Sequence, residues 1–316
     1  MQKKYRVTAV MMGCLSWLFA FENHLPAQEA VLQEASVGET LPTNETAAET
    51  SADKPTTKPA SAEFMRVLKE GKQPVAMQTA VVTYSDPDDP ALEVVLIGAV
   101  HIAEASYYSE LNQLFRRFDA LLYEMVFDPE QGVPDPEERG VSPVSTIQVT
   151  MKDALGMTFQ LDEIKYDREN FVHADMTPTE FFECMESRKE GVMQMLFRSM
   201  GAGLAMQNSG RGGDLDLLSA LVASDRTRAL RRALADQMEL ADGQMAALTG
   251  DDGKSTLITE RNAKAFEVLQ REIDGGKKKL GIFYGAGHLK DMDKRLREQF
   301  GMKAVKTEWL NAWDLR

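Results

Sequence analysis

Two histidines far apart in the sequence sit in the same short setting: Gly98-Ala99-Val100-His101 closes the run IGAVH, and Gly285-Ala286-Gly287-His288 closes YGAGH. An imidazole that leaves a strand through a glycine-containing turn can bring a lone pair, or a proton near neutral pH, to a shared point. After each motif comes a helical stretch and then a strand-like segment with a glutamate, Glu124 in ALLYEM and Glu308 in AVKTEW. The two regions read as an internal pseudo-repeat. If the two strands lie near one another, both imidazoles converge at the carboxyl ends of a parallel sheet, and Glu124 can add a carboxylate there. Two histidines and one carboxylate, with positions left for water, form a common catalytic metal arrangement. A single histidine at a strand end is more often a hydrogen-bonded structural residue. It is the repetition that points to a site, since only His101, His173 and His288 lie beyond residue 30. His173, in FVHADMT, is a candidate third ligand or else a lining or structural residue, and Asp175 beside it shares that reading.

Such a site needs a sheet behind it. Ala76 to Tyr84 has strand-like alternation, and Asp86-Pro87-Asp88-Asp89-Pro90 is turn chemistry. The β-branched run Leu92 to Val100 predicts a strand buried on both faces. Ala103 to Phe118 carries Tyr107, Leu111, Leu114 and Phe118 at helical spacing, and Ala120 to Val126 is the next strand. This strand, helix, strand unit favours parallel strands with a right-handed crossover. Near the other end, Leu280 to Tyr284 predicts a strand, Leu289 to Phe300 a helix and Ala304 to Trp309 a strand. Between the units, about 142–275, the pattern is helical almost throughout, with Thr177-Pro178-Thr179-Glu180 opening one helix. The expected fold class is α/β, a mixed sheet core made of two strand–Gly-x-x-His–helix–strand units with a large helical insertion.

The methionine-rich stretch Met185 to Met206 reads as helix core or an adaptable apolar groove. Gly210-Arg211-Gly212-Gly213 lacks the Lys-Ser/Thr pair and the preceding strand of a phosphate loop. The basic runs Arg226 to Arg232 and Lys277 to Lys279 read as solvated surface.

Lys3, Lys4 and Arg6, a short apolar stretch to Phe21 and the small-residue exit around Ala27 and Ala30 describe a secretory signal peptide over 1–30. An uncleaved anchor is the alternative, although the run is short for a membrane span. Cys14 lies inside the apolar run and not at its end, which argues against lipidation. Residues 31–60, rich in Glu, Thr, Ala, Ser and Pro, predict a disordered linker, leaving 61–316 as one domain. The expected location is exported, periplasmic or extracellular, with no stable membrane span after cleavage. Without the leader Cys184 is the only cysteine, so no intramolecular disulfide forms. The net charge of −13 argues against nucleic acid and anionic membranes as partners.

At these residues the sequence resembles the TraB/TIKI superfamily, which includes TraB/PrgY pheromone-shutdown proteins, GumN-like bacterial proteins and TIKI proteases. The matching pieces are LIGAVHIAEAS, LLYEMV, Glu260-Arg261-Asn262 and FYGAGHLKDM. The resemblance implies an exported metal-dependent hydrolase, most concretely a TIKI-like peptidase acting on a peptide or protein substrate. In that reading His101, His288 and Glu124 hold a divalent ion (Mn, Co or Zn). Glu260 or Glu124 serves as general base, and Arg261 stabilises an oxyanion or orients a carboxylate ligand. A helix-start salt bridge is the plainer account of Glu260 and Arg261. The competing reading from another class is a non-catalytic relative of the same fold that binds a peptide or haem. A third is a metal-free, esterase-like relative with a structural histidine pair.

Overall fold

The computed structural model describes residues 63–131, 153–188, 219–220, 222–244 and 255–316. The expected signal peptide and linker, the stretch Gly210 to Gly213 and most of the methionine-rich run lie outside the described residues. The strands of the main sheet are β1 (Met65–Glu70), β2 (Gln73–Ser85), β3 (Glu93–Ala99), β5 (Ala120–Tyr123), β7 (Phe171–His173), β8 (Lys279–Gly285) and β9 (Lys303–Asp314). A separate two-stranded ribbon joins β4 (Ile102–Ala103) to β6 (Thr158–Phe159). The helices are α1 (Ala105–Leu114), α2 (Gln160–Glu163), α3 (Pro178–Ser187), α4 (Arg226–Gln244), α5 (Arg261–Asp274) and α6 (Leu289–Glu298). The fold class is mixed α/β, as the residue pattern predicts.

The main sheet has two regimes. β2 is the long strand: β9 runs antiparallel along one edge of it, and β1 and β3 divide the other. From β3 onward the sheet is parallel in the order β3, β8, β5, β7. These parallel strands are covered on both faces, which is why they read as unbroken apolar runs. In β3, Val95 and Ile97 face a core shared with Tyr107, Leu111 and Phe115 of the α1 side. Val94 and Leu96 face the opposite core, with Phe266 and Leu269 of α5 and Leu289, Met292 and Leu296 of α6.

That division matters for function. The chain leaves β3 into α1 on one face, and leaves the adjacent β8 into α6 on the other. Neighbouring parallel strands whose connections part to opposite faces open a crevice at their carboxyl ends, where ligands of open α/β sheets bind. The register levels those ends: Ala99 lies opposite Gly285, and Tyr123 lies opposite both Phe283 and His173.

Three expectations are corrected. The span 142–275 is not helical throughout, because β6 and β7 fall within it and β7 extends the main sheet beside β5. Three residues are too few to show a strand's alternation in sequence. The pseudo-repeat also stops short of its second glutamate. β9 is antiparallel to β2, and Glu308 stands opposite Val81, exposed and paired with Lys306. Finally, the basic run that opens α4 is not simply solvated. Arg231 binds Glu104 and the carbonyls of Leu155, Gly156 and Asp314, and Arg232 Nε donates to the Leu315 carbonyl.

Candidate functional site

The first histidine turn is pinned by its backbone. Tyr107 and Tyr108 of α1 donate hydroxyl hydrogens to the carbonyls of Gly98 (2.9 Å) and Val100 (2.8 Å). The Gln160 N–H donates to the His101 carbonyl at 2.9 Å, and Trp313 Nε1 to that of Ile102 at 2.7 Å. His101 thus leaves β3 through a short segment whose successive carbonyls are satisfied. It lies near enough to Glu124 and Arg261 to feel both charges.

The second histidine is fixed through its side chain. His288 caps α6 after the tight turn Ala286–His288. Asn262 Nδ2 donates to the His288 carbonyl (3.1 Å) and to Asp291 Oδ2 (2.9 Å), so Asn262 Oδ1 is left to accept from His288 Nδ1 at 2.7 Å. In the neutral imidazole the proton therefore sits on Nδ1, and Nε2 presents its lone pair. Nε2 stands 3.4 Å from Glu124 Oε1.

Glu124 follows the last residue of β5, between the two histidine strands and β7. Its Oε2 accepts from the Gly285 N–H at 2.6 Å, and its Oε1 from Arg261 Nη2 at 2.7 Å. Burial pushes this carboxyl up. The neighbouring imidazoles when charged, Arg261 and the Gly285 N–H overcome that and hold it at about 2. Burial also lowers His101 and His288, against the opposing pull of Glu124. Both rings are therefore neutral at pH 7, and Arg261 with the Gly285 N–H keep Glu124 ionised.

Arg261 opens α5 directly after a π-helical turn, Thr256–Glu260, a kind of turn frequent at functional sites. Its Nε and Nη2 bind the two oxygens of Asp175 at 2.9 and 2.5 Å. The Asp175 side chain is 0% exposed and that of Arg261 3%. Arg261 is thus buried at the start of α5 and paired with both carboxylates, as a salt bridge there would be. Glu260 points elsewhere: it is partly exposed and meets Arg188 of the α3 end at 3.4 Å. The structure brings His101, His288, Glu124 and Arg261 together with Asp175, and adds Asn262. Glu260 makes no hydrogen bond or ion pair with them among those described.

His173 ends β7 beside Tyr123, but its Nε2 lies 2.7 Å from the Met125 carbonyl, which can only accept. With Nε2 protonated and the ring edge-on to Phe127 at 4.6 Å, it acts as a brace for the segment after Glu124. Burial lowers it as well.

Whether a divalent ion suits this cluster can be tested on two observations. Bonds of about 2.0–2.1 Å to nitrogen and oxygen in a tetrahedral site put neighbouring donors roughly 3.3–3.4 Å apart, and the His288–Glu124 pair stands at 3.4 Å. With the imidazoles neutral, Glu124 and Asp175 against Arg261 leave one buried negative charge uncompensated, which a cation offsets. The pair therefore fits an ion. Among the described residues no three His, Cys, Asp or Glu side chains stand grouped around one point.

Sequence reading missed Asn262 as the partner of His288, although it is adjacent to Arg261. It also missed the Gly285 N–H, whose role depends only on register. No family model matches the chain, and neither a curated protein nor a solved structure matches it closely enough to carry an inference.

Proposed function

We propose that this chain is an exported, metal-dependent hydrolase acting on peptides, with His101, His288 and Glu124 holding a divalent ion. The observation that carries the reading is the His288 Nε2 lone pair facing an ionised Glu124 oxygen at 3.4 Å, at the carboxyl ends of adjacent parallel strands. Two acceptors held that close without a proton between them call for a cation. A divalent ion supplies Lewis acidity toward a carbonyl and acidifies a water. The chain's own groups do the rest. Asn262 holds His288 in one tautomer, and Gly285 and Arg261 fix both oxygens of Glu124. Glu124, ionised at neutral pH, faces His288 within the cluster; Glu260, turned to Arg188, does not. The peptide substrate and the export rest on the motif set and the N-terminal pattern of the sequence.

A second reading is favoured by Arg261 Nη2, which occupies the same Glu124 oxygen at 2.7 Å. There the histidine–glutamate cluster activates water with no ion. Elemental analysis of the purified chain separates the two, with His101→Ala and His288→Ala beside the wild type. About one equivalent of Mn, Co or Zn, lost in both variants and accompanied by cleavage of a peptide library, supports the metal reading. Peptide cleavage by metal-free protein that chelators do not inhibit moves the case to the second. Absence of both metal uptake and cleavage leaves neither standing.

A further inference from the structure

We propose that Gln160 is the positioning residue of His101, fixing its neutral tautomer as Asn262 fixes that of His288. The catalytic consequence rests on the hydrolase reading above, whereas the tautomer itself does not.

The ribbon of β4 and β6 pairs Ile102 with Phe159, which delivers Gln160 to the side of His101. The Gln160 N–H binds the His101 carbonyl, so the two residues are fixed to each other through the backbone. The Gln160 side chain is buried, and its Nε2 donates to the Tyr166 hydroxyl at 2.8 Å. That bond turns the other end of the amide away from Tyr166. Oε1 is buried and meets no donor with full hydrogen-bond geometry. The His101 imidazole lies near enough for the Gln160 side chain to act on it.

A buried carboxamide oxygen left without a donor costs about 1–3 kcal/mol. Tyr166 is edge-on to Phe171 and packs on Tyr123, and both it and Gln160 are buried. A proton on the His101 ring nitrogen nearest Oε1 satisfies it. The opposite nitrogen then carries the lone pair, in a ring that feels the charge of Glu124. Each histidine is thus paired with a carboxamide whose NH2 end is already committed: Asn262 to the His288 carbonyl and Asp291, Gln160 to Tyr166. Outer partners of this kind orient imidazole ligands and raise their basicity.

The test is nitrogen-15 long-range correlation NMR on the full, metal-free chain at neutral pH, with His101 assigned through His101→Gln. The wild type should show a single neutral tautomer at His101. Gln160→Met and Gln160→Asn, which remove or withdraw the acceptor, should show a mixture, and Gln160→Glu, which restores an acceptor, should return to one form. Zinc affinity, measured by competition with a chelating dye, should fall about 10-fold or more in Gln160→Met. Folded Gln160→Met and Gln160→Asn proteins that keep the wild-type tautomer would overturn the proposal; should the Met variant not fold, the Asn variant decides alone. A wild type that takes up no Mn, Co or Zn removes the metal reading, and the tautomer comparison still stands on its own.

Discussion

Arg261 and Asp175 form a two-pronged buried ion pair, Nε to Oδ1 at 2.9 Å and Nη2 to Oδ2 at 2.5 Å, in which Nη2 also holds Glu124. Asp175 is in turn aimed by the Met176 N–H at 2.8 Å. The pair ties the chain after β7 to the start of α5 and braces the site from beneath. Removing one partner leaves an unpaired buried charge, so Arg261→Ala should cost about 3–5 kcal/mol in urea unfolding. The double variant Arg261→Ala/Asp175→Ala should lose much less than the sum of the single losses. Strict additivity would mean that the two side chains do not act as a pair.

Two glycines of β8 make separable demands. A Cβ at Gly281 would fall 2.6 Å from Leu121 Cδ1 and 2.9 Å from the Phe118 ring, so Gly281→Ala forces the packing of β8 on its neighbours. A loss of about 1–3 kcal/mol is expected. At Gly285 the Cβ would meet only Glu124 Oε2 at 3.3 Å and His288 Cδ2 at 3.8 Å. Gly285→Ala should therefore leave Tm nearly unchanged and weaken divalent-metal uptake. The reverse pattern, measured by thermal melts and metal titration, would show that Gly285 serves the sheet and not the site.

The parallel core was legible because its strands are covered on both faces. Leu92 to Val100 and Leu280 to Tyr284 read as continuous apolar runs, and each ends in a motif that repeats. What the sequence did not contain is adjacency. That β8 inserts between β3 and β5, bringing His288 to Glu124, is a consequence of strand order, which no local pattern encodes.

The missed elements were short or were set by pairing. β7 is three residues long, and its side chains are only half-buried, so Phe171-Val172-His173 carries no alternation to read. Gln160 reaches His101 through a two-residue ribbon, and Glu308 fails to mirror Glu124 because β9 turns antiparallel. His173 reads as a candidate ligand by residue type alone, and nothing in the sequence signals that its Nε2 meets the Met125 carbonyl.

The start of α3 offers a control outside the site. Thr177 accepts from the Glu180 N–H, and the Glu180 carboxylate accepts from the Thr177 N–H at 2.8 Å, a reciprocal cap with Pro178 in the first turn. Thr177→Ala should lower stability by about 1 kcal/mol. Metal uptake should stay at the wild-type level, since the cap makes no contact with His101, His288 or Glu124 among those described. A loss of metal without a loss of Tm would mean that α3 shapes the cluster directly.

The three lowered histidines make the fold sensitive to mild acid. Burial is the first cause at His101, His173 and His288, and it favours the neutral ring in the folded state. In the unfolded chain each ring recovers its ordinary value of 6.5. Below that pH the unfolded state binds protons that the folded state does not, so stability is complete above about pH 6.5 and falls as the pH drops toward the folded values. Glu124 acts in the same direction in a lower window, from its ordinary 4.5 down to about 2. The metal-free chain should therefore lose Tm between pH 7 and pH 5, before carboxylates such as Glu124 protonate. His173→Gln, which keeps a donor for the Met125 carbonyl, should flatten that slope. Thermal melts at half-unit pH steps decide it: a Tm that stays level from pH 7 to pH 5 would mean the rings take up protons as readily folded as unfolded, and that burial does not hold them neutral.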